Sequence, residues 1–193
     1  ICASFMIFLL IFWTVLFLTD TKEGFYNYLY SFLFGLTPLI GGIMSIYIAS
    51  TWGGFESNIG KAVFFLGLGL FLWGCGEMIW SYYNFFLDIP APYPSVADFA
   101  FVPSEFFYGF GAFYLAKISG AKLAIRNRAA KLFVIITPFI ILGISYYVLV
   151  ITARGGVLVP EGSGLLKAVL DILYPLGDFV ALTVAVIISG LSF

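Results

Sequence analysis

Five acids stand inside otherwise apolar sequence: Glu77, Asp98, Glu105, Asp171 and Asp178. An ionisable side chain in hydrocarbon costs about 2.5 to 3.5 kcal/mol on insertion scales, so each one needs a partner or a purpose. Carboxyls in that setting can carry a proton, hold a cation, receive a ligand, or tie one helix to another by hydrogen bonds. Histidine is absent from the chain. Its absence removes the Ser-His-Asp and Cys-His pairs, the HExxH zinc motif, and the commonest metal and haem ligand.

Other chemistries fail on spacing. The segment Pro175-Leu176-Gly177-Asp178 lacks the first glycine of the GxGD motif used by aspartyl intramembrane proteases. Lys167 falls near a helix end, whereas a retinal Schiff base needs a lysine at mid-membrane. Cys2 and Cys75 lie in separate apolar runs, which gives neither a disulfide framework nor CxxC metal spacing. No glycine loop of Walker type is present. The expectation is a non-catalytic protein with no cofactor and no metal.

Each acid has two readings. Glu77 sits in Trp73-Gly74-Cys75-Gly76-Glu77-Met78-Ile79-Trp80, with Trp73 and Trp80 on its face at i−4 and i+3. It is either a ligand or proton site with an aromatic lining, or an acid bonded to a neighbouring helix while Gly67, Gly74 and Gly76 permit close packing. Asp98 follows Pro94 in Ser95-Val96-Ala97-Asp98, a capping-box pattern with the acid at N3, where the helix dipole also favours it. Glu105 lies seven residues on, on the same side, which keeps a polar lining in view. Lys167, Asp171, Tyr174 and Asp178 recur at spacings of four, three and four. This stripe is expected to face the bundle interior, with Pro175 kinking the helix and freeing the Asp171 carbonyl.

The elements that position these residues follow from composition. Of 193 residues, 62% are hydrophobic, 20% aromatic and 10% charged, with a net charge of −1. Soluble domains carry about 25% charged residues, and nucleic-acid binders are basic. With a mean hydropathy of +1.09, the chain reads as all-α, a polytopic transmembrane bundle of about six spans forming a single domain over residues 1–193. A bilayer core takes roughly 20 helical residues. Spans are expected at 1–19, 27–50, 60–86, 96–117, 131–152 and 165–190, separated by breaks rich in Gly, Pro, Ser and Asp. Ile1 is no initiator and the final residues are still apolar, so both ends are expected to continue.

Orientation follows from the cations in short loops. Lys117, Lys122, Arg126, Arg128 and Lys131 flank or occupy connector 118–130 with no acid among them, which predicts that it faces the cytoplasm of a cell membrane. The connector holding Asp88 then faces outside. A faint repeat links Tyr93-Pro94-Ser95-Val96-Ala97-Asp98 to Tyr174-Pro175-Leu176-Gly177-Asp178, with gaps that differ by one residue.

Three stretches, Gly76-Glu77-Met78-Ile79-Trp80, Pro90-Ala91-Pro92-Tyr93-Pro94-Ser95-Val96-Ala97-Asp98 and Tyr174-Pro175-Leu176-Gly177-Asp178, resemble the multi-span N-terminal membrane modules of bacterial and archaeal signalling proteins. There such a module precedes PAS, histidine-kinase or diguanylate-cyclase domains. The resemblance covers roughly residues 60–193 and rests most on the Pro-Ser-x-Ala-Asp turn. It implies a sensory or anchoring input module with no established ligand. Two other readings stand beside it: an accessory subunit of a larger membrane complex, and a small transporter using Glu77, Asp98 and Asp178 for protons or cations. The expected partners are membrane lipid and other membrane subunits or further copies of the chain.

Overall fold

A computed structural model describes residues 2–21, 23–118, 128–152, 155–157 and 164–191. Among the described residues six long helices fill the six apolar stretches: α1 (Cys2–Leu18), α2 (Phe25–Thr51), α3 (Asn58–Phe86), α4 (Asp98–Ile118), α5 (Arg128–Tyr146) and α6 (Leu165–Leu191). A short 3₁₀ turn, Gly54–Glu56, precedes α3, and α5 runs on into a π-helical turn, Tyr147–Thr152. Among the described residues there is no strand. The fold is an all-α helical bundle.

Four stretches are long and apolar enough to cross a membrane: Phe25–Thr51, Asn58–Phe86, Lys131–Thr152 and Leu165–Ile187. The six expected spans therefore divide. Helix α1 has only 17 residues, and α4 carries Asp98, Glu105 and Lys117 within its 21 residues. Large apolar side chains lie exposed along every helix, as on Ile11, Tyr47, Phe106, Phe139 and Leu165. Water would not tolerate that surface, and hydrocarbon does. The chain is a membrane protein.

The helices pack mainly in the order α1, α2, α3, α4, α6, α5, with α3 between α2 and α4, and α6 between α4 and α5. The sequence of α3 explains its central place. Gly67 and Gly74, seven residues apart, meet α2: a Cβ at Gly74 would stand 2.5 Å from the Leu39 backbone. Ala62, Gly69 and Gly76, also at intervals of seven, are buried, and the two glycines meet α4 at Tyr108 and Phe101. Two small-residue seams on one helix let backbones approach on both sides, where lipid supplies no hydrophobic drive for association.

The helix ends have local causes. Ser57 caps α3 by accepting from the Gly60 N–H at 2.8 Å. At the end of α1, Asp20 takes a positive φ of 51°, while the Thr21 N–H returns to the Leu16 carbonyl at 3.0 Å and the Asp20 N–H to Phe17 at 3.2 Å. This is a Schellman ending with an acid where glycine is usual. Connector 118–130, on which the orientation was argued, lies mostly outside the described residues.

Candidate functional site

Half of the expected capping box forms ahead of α4, whose first helical residue is Asp98 itself: the acid reaches back to Ser95, but the serine hydroxyl takes the Ala97 amide rather than that of Asp98. The Ser95 hydroxyl accepts from the Ala97 N–H at 3.2 Å, and the Asp98 carboxylate accepts from the Ser95 N–H at 2.6 Å. Only one carboxylate oxygen is used in this way. The other accepts from the Tyr174 hydroxyl of α6 at 2.5 Å. Asp98 is buried, and both of its oxygens have a donor.

A second tyrosine runs the opposite way. Tyr93, in the turn before α4, donates to the buried Asp171 carboxylate of α6 at 2.8 Å. The two segments of the faint repeat thus meet, each giving its tyrosine to a carboxylate on the other side. In α6 that acceptor is Asp171 rather than the Asp178 of the repeat itself.

Further contacts show how α4 and α6 run. Asp98 lies opposite Tyr174, a Cβ at Gly177 would stand 2.7 Å from Glu105 Cβ, and one at Gly109 would be 3.6 Å from Val180. The partner positions rise together along both chains, so the two helices are parallel. Asp98 and Glu105 both turn toward α6, as their spacing of seven predicts, and both are buried.

The α6 stripe requires a correction. It is expected to face the interior throughout, yet Asp178 is exposed on the helix surface. The seam against α4 instead follows Leu170, Tyr174 and Gly177, and the two aspartates flank it. Asp171 is covered because Tyr93 reaches over it from the turn. Asp178, two helical turns deeper, lies beyond that turn, next in sequence to Gly177, which packs against Glu105. Helix α6 runs on through Pro175 as α-helix from Leu165 to Leu191. Membrane helices absorb a proline through local adjustment of the freed backbone groups.

Glu77 belongs elsewhere. It packs on the α2 side of α3, where a Cβ at Gly35 would stand 2.6 Å from Glu77 Cβ. Trp73 and Trp80 both press edge-on against Phe101 of α4, with ring centroids 5.2 and 4.8 Å away. Phe101 fits there because Gly76 leaves room: a Cβ would meet the ring at 2.5 Å. Trp73 and Trp80, expected as an aromatic lining around Glu77, form a clasp between α3 and α4. Phe101 was not among the expected site residues, and no polar neighbour marks it in the sequence.

The acids therefore form two groups, Glu77 at the α2–α3 seam and Asp98, Asp171, Glu105 and Asp178 along α4 and α6. Among the described residues no three His, Cys, Asp or Glu side chains converge to hold a metal ion. What the α4–α6 group can do is lock: two phenols and one backbone N–H hold two buried carboxylates, joining the turn at 93–98 to α6. No protein-family model, no curated protein and no solved structure matches the chain.

Proposed function

We propose that the chain is a non-catalytic sensory or anchoring input module of a prokaryotic signalling protein, in which the position of α6 reports the state of the turn preceding α4. The observation that carries this reading is the crossed pair of hydrogen bonds, Tyr93 to Asp171 and Tyr174 to Asp98. Three of its four residues, Tyr93, Asp98 and Tyr174, belong to stretches that carry the likeness to signalling modules. In the orientation set by the cations around connector 118–130, the turn faces outside and α6 runs from that side toward the cytoplasm. A stimulus that opens the lock would free α6 to shift by a small rotation or translation, a common form of switching. The test is the phosphotransfer or cyclic-dinucleotide output of the signalling protein in its own cell, with Asp98→Asn and Tyr174→Phe. Altered output at an unchanged amount of membrane-inserted protein supports the reading, and wild-type output in both variants contradicts it.

The packing of Gly177, the residue before Asp178, against Glu105 favours a second reading, a small proton- or cation-coupled transporter. Proteoliposomes with an imposed proton gradient decide it. Flux that disappears with Glu105→Gln and Asp178→Asn supports transport, and the absence of flux above empty liposomes rejects it.

A further inference from the structure

Below the Tyr–Asp contacts, α4 and α6 part to leave a groove of about 480 Å³ lined by Glu105, Phe106, Gly109, Phe110, Phe113 and Val180, among others. This is within the usual size of small-molecule sites, about 300 to 1,000 Å³. Phe106, Phe110 and Phe113 are 45%, 52% and 50% exposed, so the groove is open on the side that hydrocarbon would cover.

Glu105 is the unusual member. It is only 9% exposed and lines the groove, yet its carboxyl makes no hydrogen bond among the described residues. Asp98 and Asp171 are buried to a similar degree, and both accept from a tyrosine. Asp178 follows Gly177, which lines the groove and packs against Glu105. The closest cation along α4 is Lys117, which lies over the Phe113 and Tyr114 rings at 4.5 and 4.9 Å from their centroids. Twelve residues of helix, about 18 Å at 1.5 Å per residue, separate it from Glu105. Lys117 does not reach the buried acid, which has no ion-pair partner among the described residues, while its own position shows that these rings accept a cation on their faces.

We propose that this groove binds a lipid-soluble organic cation entering from the bilayer, with Glu105 as its counter-ion and the Phe106 and Phe110 rings around its apolar body. Such a ligand supplies the charge the acid lacks and apolar surface for the phenylalanines. Neutral lipid supplies only the second, and an inorganic cation only the first. Binding does not depend on the signalling reading, so lost binding and unchanged signalling output are read separately.

The test uses radiolabelled tetraphenylphosphonium with the whole chain in phosphatidylcholine nanodiscs and empty nanodiscs as background. Tetraphenylborate, of the same shape and opposite charge, serves as competitor. Saturable binding of the cation is expected, undisturbed by tetraphenylborate at matched free concentration of the cation and about tenfold weaker in Glu105→Gln. Gly109→Leu provides a second variant that leaves the carboxyl in place: a Cβ at Gly109 meets only Val180, at 3.6 Å, and a leucine would fill the groove. It should weaken binding as well. Equal affinity in wild type and both variants overturns the proposal. So does the absence of saturable binding, which is the result a groove covered by a second copy of the chain would give.

Discussion

The hydroxyl of Tyr174 donates to the Asp98 carboxylate at 2.5 Å, across 76 residues of sequence, while the other carboxylate oxygen caps the helix that Asp98 begins. One side chain therefore starts α4 and fastens it to α6. Tyr93 and Asp171 repeat the fastening with donor and acceptor exchanged between the segments. Within the membrane, interhelical hydrogen bonds of this kind contribute about 0.6 kcal/mol on average and up to about 1.7.

A double-mutant cycle isolates that contribution. Tyr174→Phe and Asp98→Asn, singly and together, should show a coupling of about 0.6 to 1.7 kcal/mol in reversible unfolding from mixed micelles. Asp98→Asn alone should cost more than Tyr174→Phe alone, because it also weakens the cap. A coupling near zero would mean that the contact does not join the helices.

Adjacent glycines in α2 should behave in opposite ways. A Cβ at Gly42 would stand 2.6 Å from the Phe71 Cα, and backbone cannot move aside cheaply, whereas a Cβ at Gly41 meets nothing within 4 Å. Gly42→Ala should lower stability by about 1 to 3 kcal/mol. Gly41→Ala should leave it unchanged or raise it by up to about 1 kcal/mol through helix propensity. Midpoints of denaturant unfolding compare the two, and equal midpoints would contradict the packing of α2 on α3.

Phe101 should report the α3–α4 clasp through fluorescence. Removing the ring with Phe101→Ala takes away the edge contacts of Trp73 and Trp80 and leaves a void beneath Gly76. A loss of about 3 kcal/mol is expected, with a shift in tryptophan emission. The Trp80 indole N–H is buried without a hydrogen-bond partner among the described residues, so access of water or a polar group to it should red-shift the spectrum. An unchanged spectrum would place the two indoles elsewhere.

Orientation is open to labelling. In a background with Cys2→Ser and Cys75→Ser, an impermeant maleimide added to intact spheroplasts should modify Ile89→Cys, which lies in an exposed part of the turn after α3. Lys122→Cys should react only after permeabilisation. The reverse pattern would invert the topology drawn from the basic residues.

How much of this could be read in advance depends on the kind of signal each residue carries. Helix positions follow from hydrophobic run length, and the six helices lie where the apolar stretches do. The capping of α4 was legible because Ser95 and Asp98 sit at a fixed local spacing. The pairing of Tyr93 with Asp171 was not, since 78 residues intervene and the faint repeat offers Asp178 as the more natural counterpart. Periodicity places Asp171 and Asp178 on the same side of α6 but cannot say which of them a turn will cover. The division of the α3 glycines, Gly74 to α2 and Gly76 to α4, depends likewise on the helices that arrive on either side.

The turn before α4 is coupled to α6 through the two tyrosines. Spin labels at Val96→Cys in the turn and Ile172→Cys on α6, both exposed positions, measure it by electron–electron double resonance in phosphatidylcholine nanodiscs with the two native cysteines replaced. One narrow distance distribution is predicted with the lock intact, and a broader distribution at longer distance when Tyr93→Phe and Tyr174→Phe are combined. The same distribution in both proteins would contradict the claim that these tyrosines hold α6 to the turn.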